Sequence, residues 1–428
     1  MINFSKSEKH LIEVEKYIPL GSQTFSKSRT QFPVGISPLY VDRAKGAYFW
    51  DVDGNRFIDL VNGLASITLG HSLEELNELV IKQLERGSNF SLPGELEFEV
   101  ARLISKQIPS IEMLRFGKNG SDATSAAVRL ARAYTNRDYV AICGYHGWQD
   151  WYIGATSKNK GVPLATQKLT LKFKYNDIES LYKCFESCKG QLAAVVMEPM
   201  NIEYPKNDFL KNVQDFCNQT GTLFVLDETV TGYRFAKGGA QEIFDIKPDL
   251  TTLGKGIANG FPLSVIGGRS DVLAEMEQIF FSGTFGGELV SLTAAHFVLD
   301  LFEKQDIAGS LTQIGDNLAN EISNLIREFE LENYLSLSGH PTWKFLNWNS
   351  SDDFTSWELK TLFMQEIFQE LIFVSTSHNV SLAMDENIQL EIISGYRKAF
   401  RKLAKSIGGN SVRKDLRVNP ITPLFKVR

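Results

Sequence analysis

Asp227 and Lys255 stand 28 residues apart, each at the end of an apolar run, and as a pair they suit one kind of chemistry. Asp227 follows Thr222–Leu226, five residues that read as a buried strand. Lys255 lies in Thr252-Leu253-Gly254-Lys255-Gly256, directly after a second apolar run. A lysine between glycines at a strand end is poorly placed as a solvated charge and well placed to reach a ligand. Its amine can condense with an aldehyde. A carboxylate ending a neighbouring strand can hold a protonated ring nitrogen. Pyridoxal 5′-phosphate (PLP) requires both, a Schiff-base lysine and a carboxylate for the pyridinium.

A phosphate needs backbone N–H groups aimed at one point, and a helix start supplies them with a favourable dipole. The string GKNGSDATSAAVRLAR, Gly117 to Arg132, meets that demand. Gly120 permits close approach, Ser121 offers a hydroxyl, and Ser121 or Asp122 can cap the helix. In GYHGWQDW, Gly144 to Trp151, Tyr145 can stack on a flat ring and His146 can support it. Glu198-Pro199 ends a further apolar run, where proline stops the strand. SGTFGG, Ser282 to Gly287, is a small polar loop in which Thr284 offers another hydroxyl to a phosphate.

These residues need a scaffold that brings strand ends together. From about residue 112, apolar strands alternate with helices: Met113–Phe116, Tyr139–Cys143, Leu192–Met197, Thr222–Leu226, Leu250–Leu253 and Leu263–Gly267 as strands, with helices over Ala123–Tyr134 and Phe209–Thr220. Such alternation predicts a mostly parallel sheet covered by helices, with ligands outside the carboxyl ends of the strands. Before it come a short helix over residues 8–18, a hairpin over Ala47–Leu60 turning near Asp53-Gly54, and helices over Leu73–Arg86 and Glu95–Gln107. After Leu289 a long helical pattern runs to about Glu328, broken near Asp306-Ile307. The tail mixes short strands (Trp343–Leu346, Phe373–Ser375) with helices over Ser356–Leu371 and Asp385–Ala404. Residues 66–305 then form a large α/β domain. Residues 306–428 form a smaller α+β domain, which the N-terminal segment 1–65 joins.

The chain has 428 residues, is 43% hydrophobic and 22% charged, and carries a net charge of −6. That balance, with no basic run, excludes a general nucleic-acid binder. No apolar stretch approaches a membrane span, and MINFSKSEKH lacks the apolar core of a signal peptide. Cys184 and Cys188 are four apart but have no second ligand pair, so no metal site is expected. The four dispersed cysteines suit reduced thiols and a cytoplasmic location. A nicotinamide enzyme fails for want of a glycine fingerprint after an early strand. A binding protein that keeps a disused PLP scaffold would not need both Asp227 and Lys255.

The order glycine-serine loop, Tyr-His-Gly, strand-Asp, strand-Lys, Gly-Thr resembles the class III, fold-type I PLP aminotransferases, and within them the glutamate-1-semialdehyde 2,1-aminomutase-like subfamily. The resemblance runs from about Ile18 to the C-terminal helices and is most specific over Gly238–Arg269, GGAQEIFDIKPDLTTLGKGIANGFPLSVIGGR. It implies a large domain with a mostly parallel seven-stranded sheet and a smaller α+β domain. It also implies that Lys255 carries PLP and shuttles a proton, Asp227 pairs with the pyridinium, Tyr145 stacks on the ring, and Gly120 and Ser121 hold the phosphate. Thr284 would reach the cofactor phosphate of a neighbouring subunit, which makes the active unit a homodimer.

Several positions depart from the family pattern. The usual Ser-Gly-Thr-Glu-Ala is Asn119-Gly120-Ser121-Asp122-Ala123 here. The serine and arginine with which the aminomutase grips a substrate carboxylate align with Thr24 and Lys27, and Arg29 lies two residues on. Lysine is a point charge rather than a bidentate fork. Residues 373–381 look shorter than the family's mobile closing segment and lack its glutamate, and Glu203 replaces an asparagine. These departures lead to the expectation of a transaminase that moves an amino group from a donor, glutamate by default, to a hydroxylated, sugar-like aldehyde or ketone. The alternative is a glutamate-1-semialdehyde 2,1-aminomutase.

Overall fold

The structure is a computed structural model and describes residues 2–200 and 202–422. The described residues divide into two compact units, 74–309 and 2–73 with 310–422.

The first unit is built on a seven-stranded sheet. Its strands in chain order are β1 (Met113–Gly117), β2 (Tyr139–Cys143), β3 (Thr170–Lys172), β4 (Leu192–Met197), β5 (Leu223–Glu228), β6 (Leu250–Leu253) and β7 (Ser264–Gly268). They lie side by side as β1-β7-β6-β5-β4-β2-β3. Only β7 runs against the others, paired antiparallel to both β1 and β6. β4 and β5 are buried along their whole length. That is why they read as continuous apolar runs rather than alternating ones.

Period two sends Val225 to one face of the sheet and Leu226 to the other. Val225 packs with Ala123, Ala127 and Leu130 of helix α1 (Gly120–Thr135). Leu226 packs with Leu181 of helix α2 (Ile178–Ser187) and with Val213 and Phe216 of helix α3 (Phe209–Thr220). Both faces are thus covered, and the carboxyl edge is left for ligands. Cys184 and Cys188 belong to the α2 side of this core, where burial pushes both thiols up.

Three readings need correction in this unit. β5 begins at Leu223 and runs through Glu228, so Asp227 lies inside the strand rather than after it. The ladder continues because Asp227 and Glu228 pair in register with Thr252 and Leu253. β7 is shifted by one residue and antiparallel. β3 is three residues long, too short for a pattern, and α2 is an additional helix whose apolar positions, Ile178, Leu181, Tyr182 and Phe185, repeat at helical spacing. The long C-terminal helical pattern of this region resolves into α4 (Leu289–Lys304) and a helix over Ile307–Glu328.

The second unit holds two small sheets. Val41–Lys45, Tyr48–Asp51 and Arg56–Asp59 form antiparallel pairs, and Ile372–Phe373 adds to the last in parallel. Leu335–His340, Trp343–Trp348 and Ser377–Asn379 form the other sheet. Of the strand expected over Phe373–Ser375, only Phe373 is strand; two shorter strands, Ile372–Phe373 and Ser377–Asn379, flank residues 374–376 and join different sheets. The first helix spans Ser5–Val14, ending in turn hydrogen bonds to Val14 O rather than continuing to residue 18. Among the described residues no helix is long and apolar enough to cross a membrane.

Candidate active site

The sequence-singled residues of the first unit gather at the carboxyl edge of its sheet. β1 leads through Asn119 into α1, β2 into Gly144-Tyr145-His146, β4 into Glu198-Pro199, β5 ends with Asp227-Glu228, and β6 leads through Gly254 to Lys255.

Asp227 is 4% exposed, and both its carboxylate oxygens accept hydrogen bonds. His146 Nδ1 donates to its Oδ2 at 2.8 Å. Its Oδ1 accepts from Thr229 N at 3.1 Å, Thr229 Oγ1 at 2.6 Å and Thr252 Oγ1 at 2.8 Å. Burial alone would raise this carboxyl; the hydrogen bond and charge of His146, then the two threonine hydroxyls, outweigh it and hold the group below the usual range. The site therefore keeps an ionised carboxylate in a buried place. His146 is buried too, with Nε2 facing Cys143 O at 3.2 Å.

Glu228, next in the strand, points to the opposite face and does structural work. It accepts from Thr231 Oγ1, Ala240 N and Gln241 N at 2.6, 2.6 and 3.0 Å. Burial raises its pKa, and these donors counter that in part. Gly239, at φ +78°, leaves room for the carboxylate: a Cβ there would stand 2.6 Å from its oxygens.

Lys255 is half-buried and adopts φ +44°, a left-handed conformation that costs a non-glycine residue about 1–2 kcal/mol. Strain of this sort collects at ligand sites.

At the start of α1, Ser121 is buried and its Oγ accepts from Trp148 N at 3.4 Å. The N-cap is Asn119 rather than Ser121 or Asp122; the Asp122 carboxylate, three residues on, reaches back to accept from Lys118 N and Asn119 N at 3.0 and 2.8 Å. Lys118 Nζ in turn pairs with Glu288 at 2.8 Å, and Glu288 caps α4 through Val290 N and Ser291 N. Gly120 cannot carry a side chain here, since a Cβ would stand 2.9 Å from the Thr229 methyl.

Tyr145 is 37% exposed, its ring edge-on to Tyr152 at 5.6 Å, and its N–H donates to Glu198 Oε2 at 3.0 Å. Thr284 is exposed in a turn closed by Gly286 N donating to Gly283 O. Phe280 and Phe285 beside it are 84% and 60% exposed.

The substrate residues are distributed differently. Glu203 is exposed, bonds Lys206 Nζ at 2.9 Å and is held below the usual carboxylate range by that contact. It also accepts from Asn176 Nδ2 at 3.5 Å. Thr24, Lys27 and Arg29 belong to the second unit. Thr24 precedes the short turn Phe25–Lys27, Lys27 is exposed, and Arg29 pairs with Glu15. Thr229 and Thr252 were missed by sequence reasoning; the register Asp227↔Thr252 is the signal that could have found the second.

This donor set fits PLP. The N-terminus of a sixteen-residue helix with a buried hydroxyl suits a phosphate. An ionised, buried carboxylate suits a pyridinium, an amine one strand away suits an aldehyde, and a half-exposed phenol suits a flat ring. Among the described residues no group of three or more His, Cys, Asp or Glu side chains is placed to hold a metal ion.

Fold and site together define a fold-type I, PLP-dependent enzyme. The aminotransferase class-III family profile matches residues 31–332. The chain belongs to the class-III aminotransferases. It is 37% identical over 313 residues to the glutamate-1-semialdehyde 2,1-aminomutase of Archaeoglobus fulgidus, covering 69% of this chain and 74% of that one. Among solved structures it resembles a β-phenylalanine aminotransferase from Variovorax paradoxus, with TM-score 0.80, 26% identity and coverage of 98% and 96%. The FumI protein of Sphingopyxis sp. MTA144 shares the fold with TM-score 0.88 at 24% identity, covering 97% of this chain and 99% of that one.

Proposed function

We propose that this chain is a transaminase, active as a homodimer in the cytoplasm, that moves an amino group from a donor such as glutamate to a hydroxylated, sugar-like aldehyde or ketone. The observation that carries the choice of transaminase is residues 373–381. This segment contains no carboxylate, and it is stitched into its own unit. Ser377–Asn379 pairs with Trp343–Phe345, Leu346 N donates to Thr376 O, and Lys360 Nζ donates to Thr376 Oγ1 at 2.8 Å. A segment so held is a poor closing flap. An aminomutase must retain its intermediate, whereas a transaminase must release a keto product.

The chemistry PLP supplies when bound is an aldehyde that condenses with amines and a protonated ring that accepts the electrons of a broken C–H bond. Lys255 would hold the aldehyde end through its amine and, once displaced by the incoming substrate amine, would move a proton at the substrate carbon. Asp227 keeps the proton on the ring nitrogen by its charge, and His146 fixes the orientation of Asp227. The start of α1, with Gly120 and Ser121, binds the phosphate. Tyr145 covers one face of the ring. Thr284 serves the phosphate of the neighbouring subunit. Lys27 or Arg29 would meet an acidic group on the substrate by a charge-assisted contact.

The second reading, a glutamate-1-semialdehyde 2,1-aminomutase, is favoured by the 37% identity to a relative of that name. Supplying glutamate-1-semialdehyde alone separates the two. Slow or absent formation of 5-aminolevulinate, with turnover that needs both a donor and a separate acceptor, supports the transaminase. Fast, donor-independent conversion would move the chain to the second reading.

A further inference from the structure

Thr229 touches three parts of the site at once. Its Oγ1 and its backbone N–H both donate to Asp227 Oδ1, at 2.6 and 3.1 Å. Its Cγ2 methyl lies 2.9 Å from the place a Gly120 Cβ would take and 3.1 Å from that of Gly254. Gly120 opens α1, and Gly254 immediately precedes Lys255. One short, half-buried side chain is thus bonded to the carboxylate while it packs against the start of the anion-binding helix and the backbone leading to the lysine.

The count of donors gives this arrangement a consequence. A carboxylate has about four lone-pair sites, two on each oxygen. Three donors converge on Oδ1: Thr229 N, Thr229 Oγ1 and Thr252 Oγ1. That oxygen has no capacity left. Oδ2, which among the described residues accepts from His146 Nδ1, is the one that can accept from a further N–H.

We propose that Thr229 is a positioning residue of the cofactor site: its hydroxyl, with its own N–H and the Thr252 hydroxyl, anchors Oδ1 so that Oδ2 is presented to the ring nitrogen, and its methyl sets the spacing of the Gly120 and Gly254 backbones. This rests on the PLP reading above. Without the hydroxyl, Oδ1 keeps two donors, Thr229 N and Thr252 Oγ1, and the carboxylate is held less firmly in the orientation that presents Oδ2. The carboxylate also loses a charge-assisted hydrogen bond in a buried place, which shifts its titration to higher pH.

Two substitutions separate the parts of the side chain. Thr229→Val keeps the shape and the methyl and removes the hydroxyl. Thr229→Ser keeps the hydroxyl and removes the methyl. Asp227 is followed by carboxylate ¹³C NMR in the cofactor-free protein, PLP affinity by fluorescence titration, and turnover by steady-state kinetics. In Thr229→Val the Asp227 midpoint should rise by about one pH unit, and kcat should fall roughly tenfold, about 1.4 kcal/mol, with KM for the amino donor unchanged. Thr229→Ser should keep the midpoint and kcat of the wild type but hold PLP more weakly.

A Val variant with wild-type midpoint and kcat would overturn the proposal, and so would a Ser variant that loses as much kcat as Val. A wild-type protein that takes up no PLP overturns the cofactor reading and the positioning role with it. A wild type that takes up PLP, with an unaltered Val variant, overturns Thr229 alone.

Discussion

His146 Nδ1 donates to Asp227 Oδ2 across 2.8 Å, and both side chains are buried. Two residues 81 apart in sequence, one after β2 and one within β5, therefore form a single unit with a fixed direction. Asp227→Asn keeps the shape and removes the charge. The expected outcome is an unaltered fold by circular dichroism and a loss of kcat of about 100- to 1000-fold, the scale seen when a preorganised electrostatic partner is deleted. A near wild-type rate would show that the ring nitrogen is held by something else.

Gly147 adopts φ +109°, and a Cβ there would collide with Ser121 Oγ. Gly147→Ala should push Ser121 out of the helix start or strain the loop, at a cost of about 1–3 kcal/mol. PLP affinity should drop by tenfold or more, since about 1.4 kcal/mol is a factor of ten. Fluorescence titration measures this. Unchanged affinity would remove Ser121 from the phosphate site.

The legible parts of the sequence were those where local pattern and buried environment agree. Leu192–Met197 is apolar throughout and Leu250–Leu253 is a buried pair of threonines between leucines, and their bounds match the strands β4 and β6. Asp227 and Lys255 stood out because a charge ends each apolar run. What stayed hidden depends on register or on distant partners. Nothing local in Thr252 announces that it lies opposite Asp227, and Glu228 looks like a second site carboxylate until its bonds to Ala240 and Gln241 are seen. Ser377–Asn379 is strand only because Trp343–Phe345 recruits it. Glu203 read as an added site carboxylate, yet a lysine three residues on holds it at the surface.

His378 provides a pH test in the second unit. It is buried with Nε2 against the Tyr396 hydroxyl, and burial pushes its imidazole down to about 4 from 6.5. Between those values the unfolded chain binds a proton that the folded chain does not. Stability from this group is full above pH 6.5 and is lost as pH falls to about 4, by about 3 kcal/mol at most. Thermal melts of His378→Gln should therefore show a shallower acid slope over that window than wild type. Equal slopes would mean that His378 takes no part.

Thr284 lies between Phe280 and Phe285, whose rings are 84% and 60% exposed, as suits a surface that a second copy covers. If the proposed homodimer forms through this face, Phe285→Asp should give a monomer in sedimentation, and Thr284→Ala should weaken PLP retention while leaving the assembly state of the wild type unchanged. Mixing Lys255→Ala with Thr284→Ala subunits should give heterodimers in which one site carries neither change and regains activity. Sedimentation of wild type as a fully active monomer at assay concentration would contradict the shared site.

The central claim is that Lys255, held at φ +44° beyond β6, is the residue to which the cofactor is bonded. Borohydride reduction of the PLP-loaded protein, followed by peptide mass mapping, tests it directly. The expected result is one pyridoxyl group, on Lys255, with Lys255→Ala unlabelled and without turnover. A label on another lysine, or full labelling of the Lys255→Ala protein, would contradict it.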